Sequence, residues 1–174
     1  FRDCVLPAGN SRESSRGRKR ADLVVVTKCP ESLSKKERED YTSQLALDPD
    51  QNLFFTSIQY DANVYGTSQV EVKSFVQNPF VLVTGIANAK SLTIYLDQLG
   101  ATYKHLEFGD HHSFSASDCQ NILSPGLPVL TTEKDYVRLN PHIKEVHYLP
   151  ISVRFLADED RFKKIISNLL PSNG

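Results

Sequence analysis

The sequence contains no methionine and no tryptophan, and only three cysteines in 174 residues. Cys4, Cys29 and Cys119 are odd in number and far apart, with no Cys-x-x-Cys pair and no metal-ligand spacing. That leaves neither a disulfide framework nor a zinc module, and it reads as reduced thiols in a reducing compartment. No apolar run approaches the roughly 20 residues that a membrane-spanning helix requires, and nothing reads as a secretory signal. Net charge is nearly absent as well: 20 Lys and Arg against 21 Asp and Glu give −1, which removes the electrostatic case for nucleic acid. There is no Gly-x-x-x-x-Gly-Lys-Ser/Thr loop and no Gly-x-Gly-x-x-Gly, so neither common phosphate cradle is written into the chain. With Phe1 at its start and no initiator, the chain reads as processed or as a piece of something longer.

What is present is ordinary for a soluble globular protein: 40% hydrophobic and 24% charged residues, in a length that buries a real core as one domain. The charge is unevenly spread. Residues 1–20 hold six basic residues against two acidic ones, a local +4, and the remainder holds 14 against 19, or −5. A basic arm on an acidic body suits phosphate or an anionic surface, and equally a solvated loop.

The arm is rich in Pro, Gly, Asn and Ser and reads as loop, with an α/β domain over residues 21–174. Residues 23–26 form a continuous apolar run of the kind a parallel sheet covers on both faces. Ser34 with Glu37 is a capping-box signature that opens a helix to about Leu47, stopped by Asp48-Pro49-Asp50. Residues 52–57 and 70–75 read as strands, with a linker as one possible role. Residues 80–84 read as a second buried strand. Leu92, Tyr95, Leu96 and Leu99 fall at helical spacing before Gly100. Residues 101–108 are the next strand, followed by a helix from Ser115 with Asp118 as its cap. A short strand over 129–132 leads into a helix over 133–139, strand character returns over 146–149 and 153–156, and an amphipathic helix closes the chain. This alternation predicts a three-layer α/β/α sandwich with a mostly parallel sheet.

Four stretches carry possible chemistry. Phe108-Gly109-Asp110-His111-His112-Ser113-Phe114 lies where a strand gives way to a helix, the place where α/β proteins bind ligands. It sets a carboxylate beside two imidazoles, which suits a general base or a turn facing water. Pro7-Ala8-Gly9-Asn10-Ser11-Arg12-Glu13 offers an Arg that can hold phosphate oxygens and a Glu to orient it, or a plain surface pair. Val83-Thr84-Gly85-Ile86-Ala87-Asn88 is a strand, a Gly turn and a helix start. In Thr131-Thr132-Glu133-Lys134-Asp135, Thr132 and Asp135 make a cap and Lys134 is the functional candidate. His105, His142 and His147 are assigned to structure.

The order of these motifs is more specific than any one of them. Pro-Ala-Gly-x-x-Arg-Glu is followed by Arg20-Ala21-Asp22 and Val24-Val25-Val26-Thr27-Lys28-Cys29-Pro30. Then come Phe55-Thr56-x-Ile58-x-Tyr60, Gly85-Ile86-Ala87-Asn88, Phe108-x-Asp110-His111-His112-x-Phe114 and Thr132-Glu133-Lys134-Asp135. The series resembles the carboxyl-terminal half of the tetraacyldisaccharide 4'-kinases, the lipid A kinases. Its Thr-Lys-Cys-Pro variant is similar to Bacteroidetes-type members.

The resemblance implies a P-loop-kinase-related fold of two α/β/α domains joined by a two-stranded linker, of which this chain lacks the P-loop half. It implies transfer of the γ-phosphate of ATP to the 4' hydroxyl of a lipid A disaccharide precursor by a peripheral enzyme at the cytoplasmic face of the bacterial inner membrane. His111, directly after Asp110, is the histidine that would partner a catalytic aspartate of the other half. Arg12 and Glu13 would lie near the nucleotide phosphates. Mg is expected on ligands of the amino-terminal half, with no metal ligand here, and the chain alone is expected to be inactive. Two family prolines are replaced, by Ser14 and Ala89, which loosens two loops. The competing class is a non-catalytic α/β module that binds a nucleotide or a protein.

Overall fold

A computed structural model describes residues 20–169. They fall into two compact units, one of residues up to Gln59 together with those from Val153, the other Tyr60–Ser152. This division cuts across the span read from sequence as one α/β domain, because the final strand and helix return to the first strands rather than joining the central sheet.

In the first unit, β1 (Leu23–Val26) pairs in parallel with β2 (Asn52–Tyr60), and β9 (Ile151–Phe155) is hydrogen-bonded to the other side of β2. The helix α1 (Lys35–Leu45) starts as its capping box requires. The Glu37 amide donates to the Ser34 hydroxyl, and the Glu37 carboxylate accepts from the Ser34 amide. It ends at Ala46 in the left-handed region. Alternation along β2 divides the packing. Phe55 joins Cys29, Leu33 and Tyr41, whereas Phe54 meets Phe155 and Phe162 edge-on, the latter from α6 (Glu159–Leu169). The run over 23–26 reads as a strand covered on both faces; it is a strand, but only partly buried, with Val25 exposed. The cause is its position at the edge of the three described strands.

The second unit is a four-stranded sheet in the order β6-β5-β7-β8, all parallel. Its strands are β5 (Phe80–Thr84), β6 (Tyr103–Glu107), β7 (Val129–Thr132) and β8 (Val146–Leu149). Each of these four strands matches one read from sequence, and β5 is buried along its whole length as its apolar run demands. Phe80, Leu82, Leu130 and Leu149 pack on one face with Leu92 and Leu96 of α3 (Lys90–Gln98). Val81, Val83, Val129 and Val146 pack on the other with Cys119 and Ile122 of α4 (Ala116–Leu123) and Leu139 of α5 (Glu133–Leu139). The three-layer sandwich follows from that alternation.

Residues 70–75 are not the strand their composition suggests. Only β4 (Val70–Glu71) is extended, paired with β3 (Asn63–Val64), and the chain turns at once into α2 (Val72–Phe75). Val72, Phe75 and Val76 stand three and four residues apart, a helical spacing that places all three on the apolar cluster around Phe80.

Beyond this hairpin Tyr65 exchanges backbone hydrogen bonds with Tyr148, at 2.9 and 2.7 Å. Gly66 lies so close to β8 that a Cβ there would stand 2.3 Å from the Val146 carbonyl oxygen. Backbone atoms of a central sheet cannot yield, so Gly66→Ala should destabilise the protein by about 1–3 kcal/mol, the usual cost of overpacking. A methyl at Gly109 meets nothing within 4 Å, so Gly109→Ala should stay within about 0.5 kcal/mol of wild type. Urea melts of the two variants check both statements.

The cap of α4 generates an acid-sensitivity prediction. Asp118 accepts from the Ser115 amide and hydroxyl, at 2.8 and 2.7 Å, and from His112 Nε2 at 3.1 Å. Those bonds, Ser115 first, hold its carboxyl down to about 2 from an ordinary 3.8. A depressed carboxyl contributes stability above its unfolded value and loses it as pH falls through the folded one. Between pH 4 and 2, Asp118→Asn should therefore show a shallower loss of melting temperature than wild type. Equal slopes would mean that Asp118 is not the group titrating there.

Candidate functional site

The chain reverses direction across the second unit's sheet. From β5 it passes over one face through α3 to β6, then over the other face through α4 to β7, and on through α5 to β8. The loops after β5 and β7 therefore leave toward opposite faces and open a crevice at the carboxyl edge, the place where open α/β sheets bind ligands. Three segments converge there: Gly85 after β5, residues 108–114 after β6, and the start of α5 after β7.

Asp135 ties the outer two together. Its carboxylate is fully buried and accepts the Gly85 amide at 2.8 Å and the Thr132 hydroxyl at 2.8 Å, while Thr132 Oγ1 in turn accepts the Asp135 amide at 3.2 Å and so caps α5. A Cβ on Gly85 would stand 3.0 Å from Asp135 Oδ1, so a side chain there would press on the carboxylate. Arg138, one turn further along α5, reaches Asp135 Oδ1 at 3.5 Å and the His112 carbonyl at 3.5 Å.

The stretch after β6 is held from α5 as well. Lys134 Nζ donates to Asp110 Oδ1 at 2.8 Å. That bond first, and the His111 ring with it, holds the Asp110 carboxyl below its ordinary value. The two side chains are 41% and 43% exposed, so the pair is a surface ion pair of modest worth. Asp110 Oδ1 also accepts the His111 amide at 3.1 Å. His111 itself lies at φ +61°, in the left-handed region that side chains avoid. Outliers of this kind concentrate at functional sites.

The adjacent histidines occupy different surroundings. The His111 side chain is 74% exposed, with Nε2 3.7 Å from Asp110 Oδ2 and Nδ1 3.4 Å from Arg138 Nη2. His112 packs against both Phe108 and Phe114, with ring centroids 4.8 and 5.2 Å away, and its Nε2 is bound to Asp118. One imidazole is thus exposed at the edge and the other anchors its loop.

Of the residues singled out from sequence, Asp110, His111 and Lys134 meet at this edge. Arg12 and Glu13 lie outside the described residues. Of the histidines assigned to structure, His105 bonds Thr84 Oγ1 at 2.8 Å, and His147 packs on Phe75 with its pKa pushed down by burial. Among the described residues no group of three or more His, Cys, Asp or Glu side chains can hold a metal ion. The residue that sequence reasoning passed over is Arg138. Its signal was the spacing: three residues after Asp135 and four after Lys134, it shares their helix face.

Comparison with known proteins bears on the family and the fold. The family model for Tetraacyldisaccharide-1-P 4'-kinase matches residues 1–171. The tetraacyldisaccharide 4'-kinase of Flavobacterium johnsoniae is 38% identical over 179 residues, a match covering 98% of this chain and 51% of that protein. That of Phocaeicola vulgatus is 34% identical over 194 residues, covering 98% and 52%. The chain therefore spans about half the length of the curated relatives it matches. Among solved structures, the "apo" form of LpxK from Aquifex aeolicus in complex with ATP aligns at TM-score 0.64 and 22% identity, covering 96% of this chain and 48% of that one. At that identity the likeness is one of fold. The ordered motifs from Pro7 to Asp135, the α/β architecture and the match over residues 1–171 together make this chain a member of the tetraacyldisaccharide 4'-kinase family.

Proposed function

We propose that the chain is the carboxyl-terminal part of an ATP-dependent kinase that phosphorylates the 4' hydroxyl of the tetraacyldisaccharide lipid A precursor. The observation that carries this reading is His111: an exposed imidazole at the carboxyl edge, in a left-handed backbone conformation, flanked by Asp110 and Arg138. Phosphoryl transfer involves little covalent work by the protein and depends on positioning the nucleophile and stabilising charge. In this reading His111 partners a catalytic aspartate supplied by the amino-terminal P-loop half. Asp110 holds the His111 backbone and one side of its ring. Lys134 is a mobile point charge that can turn from Asp110 to a phosphate oxygen, and Arg12 and Glu13 serve the phosphates of ATP.

Among the described residues no group of three or more His, Cys, Asp or Glu side chains could hold a metal ion, and in this reading the magnesium ligands belong to the amino-terminal half. Among the described residues no helix is long and apolar enough to cross a membrane. The proposed place of action is the cytoplasmic face of the inner membrane, reached by peripheral association with the lipid substrate.

Two experiments test the proposal. Assayed alone with magnesium-ATP and the disaccharide acceptor, the 174-residue chain should show no turnover, since it has no Walker A loop. Turnover matching that of a full-length family enzyme would overturn the division of labour. In the chain extended by the amino-terminal half that the relatives carry, His111→Ala should lower kcat by ~10²- to 10⁴-fold with little change in melting temperature. His112→Ala should instead lower the melting temperature, through loss of the Asp118 bond and the Phe108 and Phe114 contacts. A stably folded His112→Ala enzyme without activity, beside a His111→Ala enzyme near wild type, would exchange the two roles.

A further inference from the structure

The structure determines more about His111 than its exposure. Arginine carries five N–H donors, has no acceptor and keeps its charge at all relevant pH. Its Nη2 stands 3.4 Å from His111 Nδ1. A ring nitrogen in that position accepts a hydrogen bond, so it carries a lone pair and not a proton. On the other side of the ring, Nε2 faces the carboxylate Asp110 Oδ2 at 3.7 Å, and a carboxylate only accepts. Both neighbours favour the same neutral tautomer: the guanidinium needs Nδ1 bare, and the carboxylate, at ion-pair and not hydrogen-bond distance, favours a protonated Nε2 while leaving its N–H free for a partner. The guanidinium has two further contacts that orient it: Nη1 reaches the buried Asp135 carboxylate and the His112 carbonyl, both at 3.5 Å. Asp135 is itself held by Gly85 and Thr132. The backbone under the ring is fixed by the Asp110 bond to the His111 amide.

We propose that Arg138 is the positioning residue of His111: it occupies Nδ1 and leaves Nε2–H as the working atom, so that His111 meets its partner as a hydrogen-bond donor. The inference deepens the function proposed above and rests on it for its catalytic consequence. A neutral ring with Nδ1 engaged and Nε2 protonated has no lone pair with which to take the acceptor's proton. Sequence left His111 as a base or as the orienter of one; Arg138 selects the orienter, whose Nε2–H would direct a carboxylate that takes the proton itself. Outer partners that set a histidine's tautomer typically matter by 10- to 100-fold.

The test reads the tautomer first. Long-range ¹H–¹⁵N spectra of the 174-residue chain would be recorded through a pH series and read on its alkaline plateau. In wild type His111 should be a single Nε2–H tautomer. In Arg138→Met its ring nitrogens should move to the averaged shifts of an unconstrained imidazole, and Arg138→Lys, which restores one donor, should bring them back. His112, held by Asp118, should keep its Nε2–H in all three and so reports that the fold is intact. A wild-type His111 that is averaged or Nδ1-protonated overturns the proposal, even if Arg138→Met fails to fold. So does a His111 tautomer unmoved in a folded Arg138→Met. In the extended chain, Arg138→Met should lower kcat by about 10- to 100-fold with KM little changed, and Arg138→Lys should recover part of it. If the extended chain has no kinase activity while the tautomer responds as stated, the proposed function fails and the role of Arg138 at Nδ1 stands.

Discussion

A carboxylate with no solvent exposure has to find all its partners inside the protein, because an unpaired buried charge costs several kcal/mol. Asp135 finds them on three elements: the Gly85 amide after β5, the Thr132 hydroxyl at the end of β7, and the guanidinium of Arg138 on α5. The crevice at the carboxyl edge of the sheet is built around that requirement. It favours glycine at position 85, since a methyl group would press on the carboxylate oxygen. It also seats Arg138 where its other contacts fall on the loop after β6.

The loop after β6 is then defined from two directions. From α5, Lys134 holds Asp110, and Arg138 holds the His112 carbonyl and faces the His111 ring. From α4, Asp118 serves both as the second half of the capping box and as the acceptor for His112. A single helix start thereby does two jobs, satisfying its own orphan amides and anchoring the loop that precedes it. With one histidine packed against two phenylalanines and bonded to a cap, its neighbour is turned outward by a left-handed backbone step. His111 is exposed, while half-buried His112 ties the loop to α4.

The first unit is organised differently. Its sheet joins strands from the beginning and the end of the chain, β1 and β2 with β9, so its packing depends on contacts of high sequence separation. Phe54 illustrates this: its ring meets Phe155 and Phe162, about a hundred positions away in sequence, and Arg161 stands over its face. Periodicity in a local window does not report such pairings, and this is why a single domain was the natural reading of residues 21–174.

Much of the fold was legible in the residues themselves, for reasons that are local. The buried run of β5, the capping boxes at Ser34 and Ser115, the Thr132 cap and the helical spacing of Leu92, Tyr95, Leu96 and Leu99 each follow from backbone hydrogen bonding or side-chain direction within a few positions. The order of the motifs identified the family, and three of its candidate residues, Asp110, His111 and Lys134, were named from sequence. The failures were local as well: residues 70–75 alternate at their start like a strand, and the helical spacing of Val72, Phe75 and Val76 prevailed once Phe80 offered a surface to pack against. What sequence alone did not contain is which groups touch across the crevice. Lys134 meets Asp110 across 24 positions, Gly85 meets Asp135 across 50, and Arg138 meets His111 across 27. Those encounters arise because parallel strands bring the ends of successive crossovers to one edge, and only the folded sheet sets which ends are neighbours.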